Sequence, residues 1–181
     1  MQHLYFIRHG LSEMNTQGAW SGHSDTPLTD EGHEQAKLAG KLAKKEGLAF
    51  DIIISSPLQR AHHTAKHVAA HVDYPHEKIV LSELFKERNY GVLEGQSAKT
   101  EIGQKHVIDE SYIDVHPNVE SLQQMQDRAY RALEHLRSLD HETILVVSHG
   151  SFGRALYRAV NDLPITERNI RYANARLVKF I

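Results

Sequence analysis

The chain has no cysteine among its 181 residues. It can therefore form no disulfide and present no thiolate as nucleophile or ligand. Strong charge of either sign is also missing. Lys and Arg total 21 against 23 Asp and Glu, a formal net charge of -2, which gives no reason to expect nucleic acid or an anionic membrane as the main partner. No apolar run approaches the roughly 20 residues that cross a bilayer. The opening MQHLYFIRHG holds too short an apolar stretch for a secretory signal. Repeats, low-complexity tracts and linkers rich in Pro, Gly or Ser are lacking as well. What remains is an ordinary globular composition, 40% apolar and 24% charged. It is long enough to bury a core as one domain over residues 1–181 and is expected in a reducing cytoplasmic setting. One residue type is in excess: fourteen histidines require metal binding to be weighed.

Apolar runs and helical spacings alternate along the chain. LYFI (Leu4 to Ile7), DIIISS (Asp51 to Ser56) and TILVVS (Thr143 to Ser148) read as buried strands. KIVLSELF is a weaker extended segment, and ARLVKFI is a closing strand. Thr29 has the character of an N-cap, with Asp30 and Glu31 in the first turn and Gly47 as the stop. Ser56-Pro57 is expected to open the next helix with serine as its cap. Further helices are expected over Ser121 to Leu139 and from about Phe152 to Val160. Alternation of this kind predicts a three-layer α/β/α sandwich, with a mostly parallel central sheet and helices on both faces. Residues 95–119 read as polar and irregular, long for a connection, and therefore as a lid or specificity segment.

Two strands end alike. YFI runs into Arg8-His9-Gly10, and LVVS runs into His149-Gly150. Ligands of open α/β sheets bind beyond the carboxyl ends of the strands, so parallel neighbours would bring His9 and His149 together. Arg60 falls near the start of the helix after DIIISS, where free N–H groups favour an anion. Two histidines, two arginines and a helix start suit a phosphate dianion. Glu87, just past an apolar run, is a candidate proton donor, although a salt bridge with Arg88 would explain it equally well. His63, His67 and His71 are spaced i, i+4, i+8. Such spacing can bind zinc or nickel, but three stacked ligands extend over two helical turns, too long for one ion. A solvated helix face is the expectation, and no metal site is assigned. His3, His33, His76 and His135 read as scattered surface residues.

Five ordered segments resemble the histidine phosphatase superfamily, in its phosphoglycerate mutase-like branch: FIRHGLSEMN, WSGHSDTPLTDEGHEQA, IISSPLQRAHHTA, LFKERNYGVLEG and ILVVSHGSFGRAL. The resemblance implies that His9 is the nucleophile, that Arg8, Arg60 and His149 form the phosphate pocket, and that Glu87 is the general acid. It also implies that Asn15 contacts phosphate and that Ser21 and Gly22 lie in a substrate-contacting loop. No metal or cofactor is implied, and the expected partner is a small-molecule phosphomonoester. A phosphatase working through a phosphohistidine is the leading expectation. Mutases of the branch carry a longer segment after the glutamate motif, with an arginine pair for the substrate's second anion. Here residues 95–119 contain no arginine, only Lys99 and Lys105 against Glu101, Asp109, Glu110 and Asp114. Phosphoglycerate mutase, a phosphohistidine or phosphoprotein phosphatase, and a non-catalytic phospho-binding module stay open as alternatives.

Overall fold

The computed structural model describes residues 1–167 and 170–181. Its sheet is built from β1 (His3–Arg8), β2 (Ile52–Ser55), β3 (Val80–Leu81), β4 (Thr143–Ser148) and β5 (Leu177–Lys179), in the order β3-β2-β4-β1-β5. The first four strands run parallel, and β5 pairs antiparallel at the edge beside β1. Successive residues of a strand point to opposite faces, and here both faces are apolar. Leu4, Phe6, Ile52, Ile54, Ile144 and Val146 enter one core with α5 (Leu122–Ser138) and α6 (Gly150–Asn161). Ile7, Ile53, Leu145 and Val147 enter the other with α3 (Gln59–His71) and, through Ala39, α2 (Asp30–Lys45). The expected sandwich with helices on both faces is the observed one.

Helix ends follow local chemistry. Thr29 Oγ1 accepts from Gly32 N at 3.0 Å, and Gly47, at φ 69°, turns the chain out of α2. Ser121 and Gln124 form a reciprocal capping box on α5. Ser56 departs from its expected role. Leu58 occupies the N-cap position of α3 without a side-chain bond, and the Ser56 hydroxyl accepts from Leu58 N at 3.3 Å just before the helix while also meeting His149 Nε2. α6 begins two residues earlier than its apolar spacing suggests, with His149 itself in the N-cap position.

Residues 95–119 are not irregular. They contain α4 (Glu101–Ile108), capped by Thr100, and a 3-10 turn at Glu110–Ile113. Ile113 and Val119 are buried with Trp20, Tyr90 and Leu93 in a small separate core, against which Ala98 and Ile102 pack. Those apolar positions are too sparse to show a helical period. A five-residue helix, α1 (Glu13–Gln17), was likewise invisible in the pattern.

The histidine stripe of α3 is not a solvated face. His63, His67 and His71 are half-buried toward α2, where a Cβ at Gly40 would press on the Cβ of His71. His33 of α2 is no idle surface residue, since its Nδ1 lies 2.8 Å from His67 Nε2.

Gly153 places α6 directly on β1, and a Cβ there would collide with the buried Phe6 ring. Gly153→Ala is expected to cost roughly 1–3 kcal/mol through overpacking, despite alanine's better helix propensity. Urea denaturation checks this, and a neutral or stabilising result would show that the α6–β1 contact relaxes freely.

Candidate active site

The pairing of β1 with β4 is in register from His3 with Thr143 to Arg8 with Ser148. His9 N donates to Ser148 O at 2.9 Å, which carries the ladder one step beyond the strands. After β1 the chain goes to α2 on one face, and after β4 it enters α6 on the other. The carboxyl ends of these neighbours therefore border a crevice of the kind where α/β sheets bind ligands. The rings of His9 and His149 face each other across it, with centroids 5.1 Å apart and planes inclined at 60°.

His9 is 3% exposed. Its Nδ1 lies 2.7 Å from Gly10 O, a contact that only a protonated Nδ1 can make as donor. That tautomer leaves the Nε2 lone pair free. Burial, followed by the charges of Arg60 and Arg8, holds the His9 pKa well below the ordinary imidazole value. His149 is depressed in the same direction, by burial and then by Arg60. Its Nε2 meets Ser56 Oγ at 2.9 Å. When the serine donates, His149 Nδ1 carries the proton.

Arg60, in the first turn of α3, is fully buried. It donates to the carbonyls of Ser24 (2.8 Å), Ser21 (3.2 Å) and Gly22 (2.7 Å). The expected loop residues thus shape the site through their backbone. At Gly22 a Cβ would strike Arg88 O and Glu94 Oε1, so no larger residue fits. Arg8 donates to Tyr172 O at 3.0 Å. Three donors around the histidine pair, Arg8 Nε, Arg60 Nε and His149 Nδ1, are buried without a protein partner. Leaving such groups unpaired is costly, and acceptor oxygens of an anion would satisfy them.

Glu87 is brought in from a different direction. Its Oε1 accepts from Arg88 N (2.9 Å) and Phe152 N (3.0 Å), and its Oε2 from Ser151 N (3.1 Å). The carboxyl group therefore caps the N-terminal turn of α6, and it is close enough to act on the charges of Arg8 and Arg60. The alternative salt bridge with Arg88 is not formed. The Arg88 side chain pairs with Asp114 and donates to Glu110 O (2.7 Å) and Glu120 O (2.8 Å). Asn15 is engaged locally, its Oδ1 accepting from Ser12 N at 3.4 Å.

Four residues at the site carry no sequence signal of their role. Ser56 orients His149. Thr64 Oγ1 accepts from Gly10 N at 3.0 Å and donates to Arg60 O at 2.7 Å, tying the two halves of the pocket. Tyr90 OH meets Ser151 Oγ at 2.9 Å, and burial raises its pKa to about 12. Glu94 accepts from His23 N and Ser24 N, both at 2.6 Å, which fixes the loop that holds Arg60.

Fold and site together define an α/β protein with two histidines and two arginines gathered at the carboxyl edge of its sheet. The model of the histidine phosphatase superfamily (branch 1) matches residues 4–181, and the chain belongs to that family. It is 37% identical over 175 residues to a 2,3-bisphosphoglycerate-dependent phosphoglycerate mutase of Bartonella bacilliformis, covering 91% of this chain and 84% of that protein. Among solved structures it resembles a putative α-ribazole-5'-P phosphatase from Escherichia coli, with TM-score 0.82 and 27% identity over 98% of this chain and 89% of the other. It also resembles a phosphoserine phosphatase from Entamoeba histolytica in complex with 3-phosphoglyceric acid, with TM-score 0.79 and 28% identity over 99% and 90% of the two chains.

Burial and the neighbouring arginines are expected to keep His9 and His149 neutral below the pH at which an ordinary imidazole takes up its proton. Histidine ring signals in an NMR titration check this, and ordinary titration of His9 would overturn it. Their depressed pKa values, with that of His106 lowered to about 4 chiefly by burial, carry a stability consequence. The unfolded chain takes up protons that the folded one refuses, so this contribution is present above the unfolded value near 6.5 and is lost as pH falls. The Tm should drop by several degrees from about pH 7 to about pH 5, as followed by calorimetry.

Proposed function

We propose that the protein is a phosphatase that hydrolyses a phosphomonoester through a phosphohistidine on His9. The observation that carries this reading is the set of three buried unpartnered donors, Arg8 Nε, Arg60 Nε and His149 Nδ1, gathered around a histidine whose Nε2 is free. His9 Nε2 attacks phosphorus, a P–N bond forms, and the ester P–O bond breaks. The equatorial oxygens gather charge as this happens and are held by Arg8, Arg60 and His149. Glu87 gives a proton to the leaving oxygen. Its Oε2 accepts only one backbone bond, so it is the oxygen with capacity to carry that proton. Water then attacks phosphorus, the P–N bond breaks, and the Glu87 carboxylate takes the proton of the water. The two arginines supply the positive field, so no metal is assigned a step.

A second reading, phosphoglycerate mutase, is favoured by the curated relatives of that name. Two observations weigh against it. A mutase must return its phosphoryl group to a second hydroxyl before water arrives, which demands a closed site. Beside Arg8 and Gly150 lies instead a partly open cavity of about 680 Å³. The segment of residues 95–119 contributes His106, Val107 and Glu110 to that cavity and no cation; its Lys105 is paired with Glu101 at 2.7 Å.

His9→Ala should lower phosphatase activity on an aryl phosphate by about a thousand-fold or more, while chelator leaves the wild-type rate unchanged. Survival of turnover without the imidazole would rule out the mechanism. Isomerisation of 3-phosphoglycerate primed by the bisphosphate, without phosphate release, would favour the mutase.

A further inference from the structure

The cavity beside Arg8 is larger than a phosphoryl group requires and falls within the range of roughly 300–1,000 Å³ typical of small-molecule sites. It shares Arg8 and Gly150 with the crevice, so it lies where the alcohol side of a bound ester would extend. Its walls are of three origins: α6 gives Arg154, the stretch before β5 gives Ile170, Arg171 and Tyr172, and α4 with the turn after it gives His106, Val107 and Glu110.

Charge on this wall is unbalanced. Three arginines line the cavity against one carboxylate, that of Glu110. Glu110 is already shared between Arg154, at 2.8 Å, and the fully buried Arg158, at 3.0 Å. Arg171 is exposed, and it takes part in none of the ion pairs formed between described residues. Two further polar groups point to a ligand. Tyr172 and His106 are 9% and 8% exposed, and the hydroxyl of the first and Nδ1 of the second are buried without partner. Burial keeps the tyrosine protonated and the histidine neutral. The arginines and the tyrosine are donors, so what suits them is an acceptor-rich, negatively charged group. Val107 and Ile170 add apolar surface for a carbon frame.

We propose that this cavity is a leaving-group subsite selecting phosphomonoesters whose alcohol side carries a second anion, read by Arg171 and Arg154. It rests on the phosphatase reading for its substrate and not for its chemistry. The arginines come from α6 and the stretch before β5, not from residues 95–119. A second anion held there does not make the enzyme a mutase, which must in addition keep water out.

The test uses two non-hydrolysable probes that differ by one para carboxylate, phenylphosphonate and 4-carboxyphenylphosphonate, titrated calorimetrically into the wild-type protein and Arg171→Gln. Wild type should bind the carboxylated probe about ten-fold more tightly, and Arg171→Gln should lose most of that preference while binding phenylphosphonate as before. Arg171→Lys should keep part of it. Equal affinity of the two probes for wild type, or an unchanged preference in Arg171→Gln, would overturn the subsite. Turnover of 4-carboxyphenyl phosphate is followed in parallel. Selective binding without turnover defeats the phosphatase reading and leaves the subsite standing, whereas turnover without selectivity does the reverse.

Discussion

Everything at the site depends on the parallel pairing of β1 with β4. The ladder sets Arg8 opposite Ser148 and, one residue on, brings the two imidazoles face to face. A slip of one residue would turn every side chain of a strand to the other face. Here that would exchange Phe6 and Ile7 between two different cores, so the apolar pattern that stabilises the sheet also fixes the distance between the histidines. Stability and site geometry are set by the same contacts.

Around that pair, charge is managed by backbone as much as by side chains. Arg60 is buried on three carbonyls of one loop, and Glu87 is buried on three N–H groups at the start of α6 and beside it. Each charged group is thus held in one orientation by fixed backbone dipoles. The histidines are kept neutral by the opposite means, burial among cations. A neutral imidazole next to two guanidinium groups keeps its lone pair available beside fixed positive charge.

The segment of residues 95–119 is fastened to this arrangement from the outside. Glu110 reaches Arg154 and Arg158 on α6, and Asp114 reaches Arg88 next to Glu87. Ion pairs this deeply buried are costly to break from one side only. The segment is therefore tied to the elements that carry Glu87 and His149, while its exposed Val107 and the neutral His106 form one wall of the neighbouring cavity.

Much of this was legible in the residues themselves. Continuous apolar runs that end in Arg8-His9 and Ser148-His149 require buried strands with polar ends, so the sandwich, the facing histidines and the position of Arg60 on α3 all follow from pattern. Serine before proline, by contrast, reads as a helix cap. Ser56 holds only Leu58 N ahead of the helix and also meets His149, because a strand ending 93 residues later brings an imidazole within 2.9 Å of its hydroxyl. Thr64, Tyr90, Glu94 and the cavity with Arg154 and Arg171 were silent for the same reason. Their partners are distant in the chain, and spacing along one segment carries no information about them. The sequence by itself determined which elements form and what chemistry stands at the strand ends, since those depend on periodicity and local turns. Only the tertiary structure decided which lone side chains orient the histidines and which residues line the cavity beside Arg8, since those depend on contacts between segments that the chain keeps far apart.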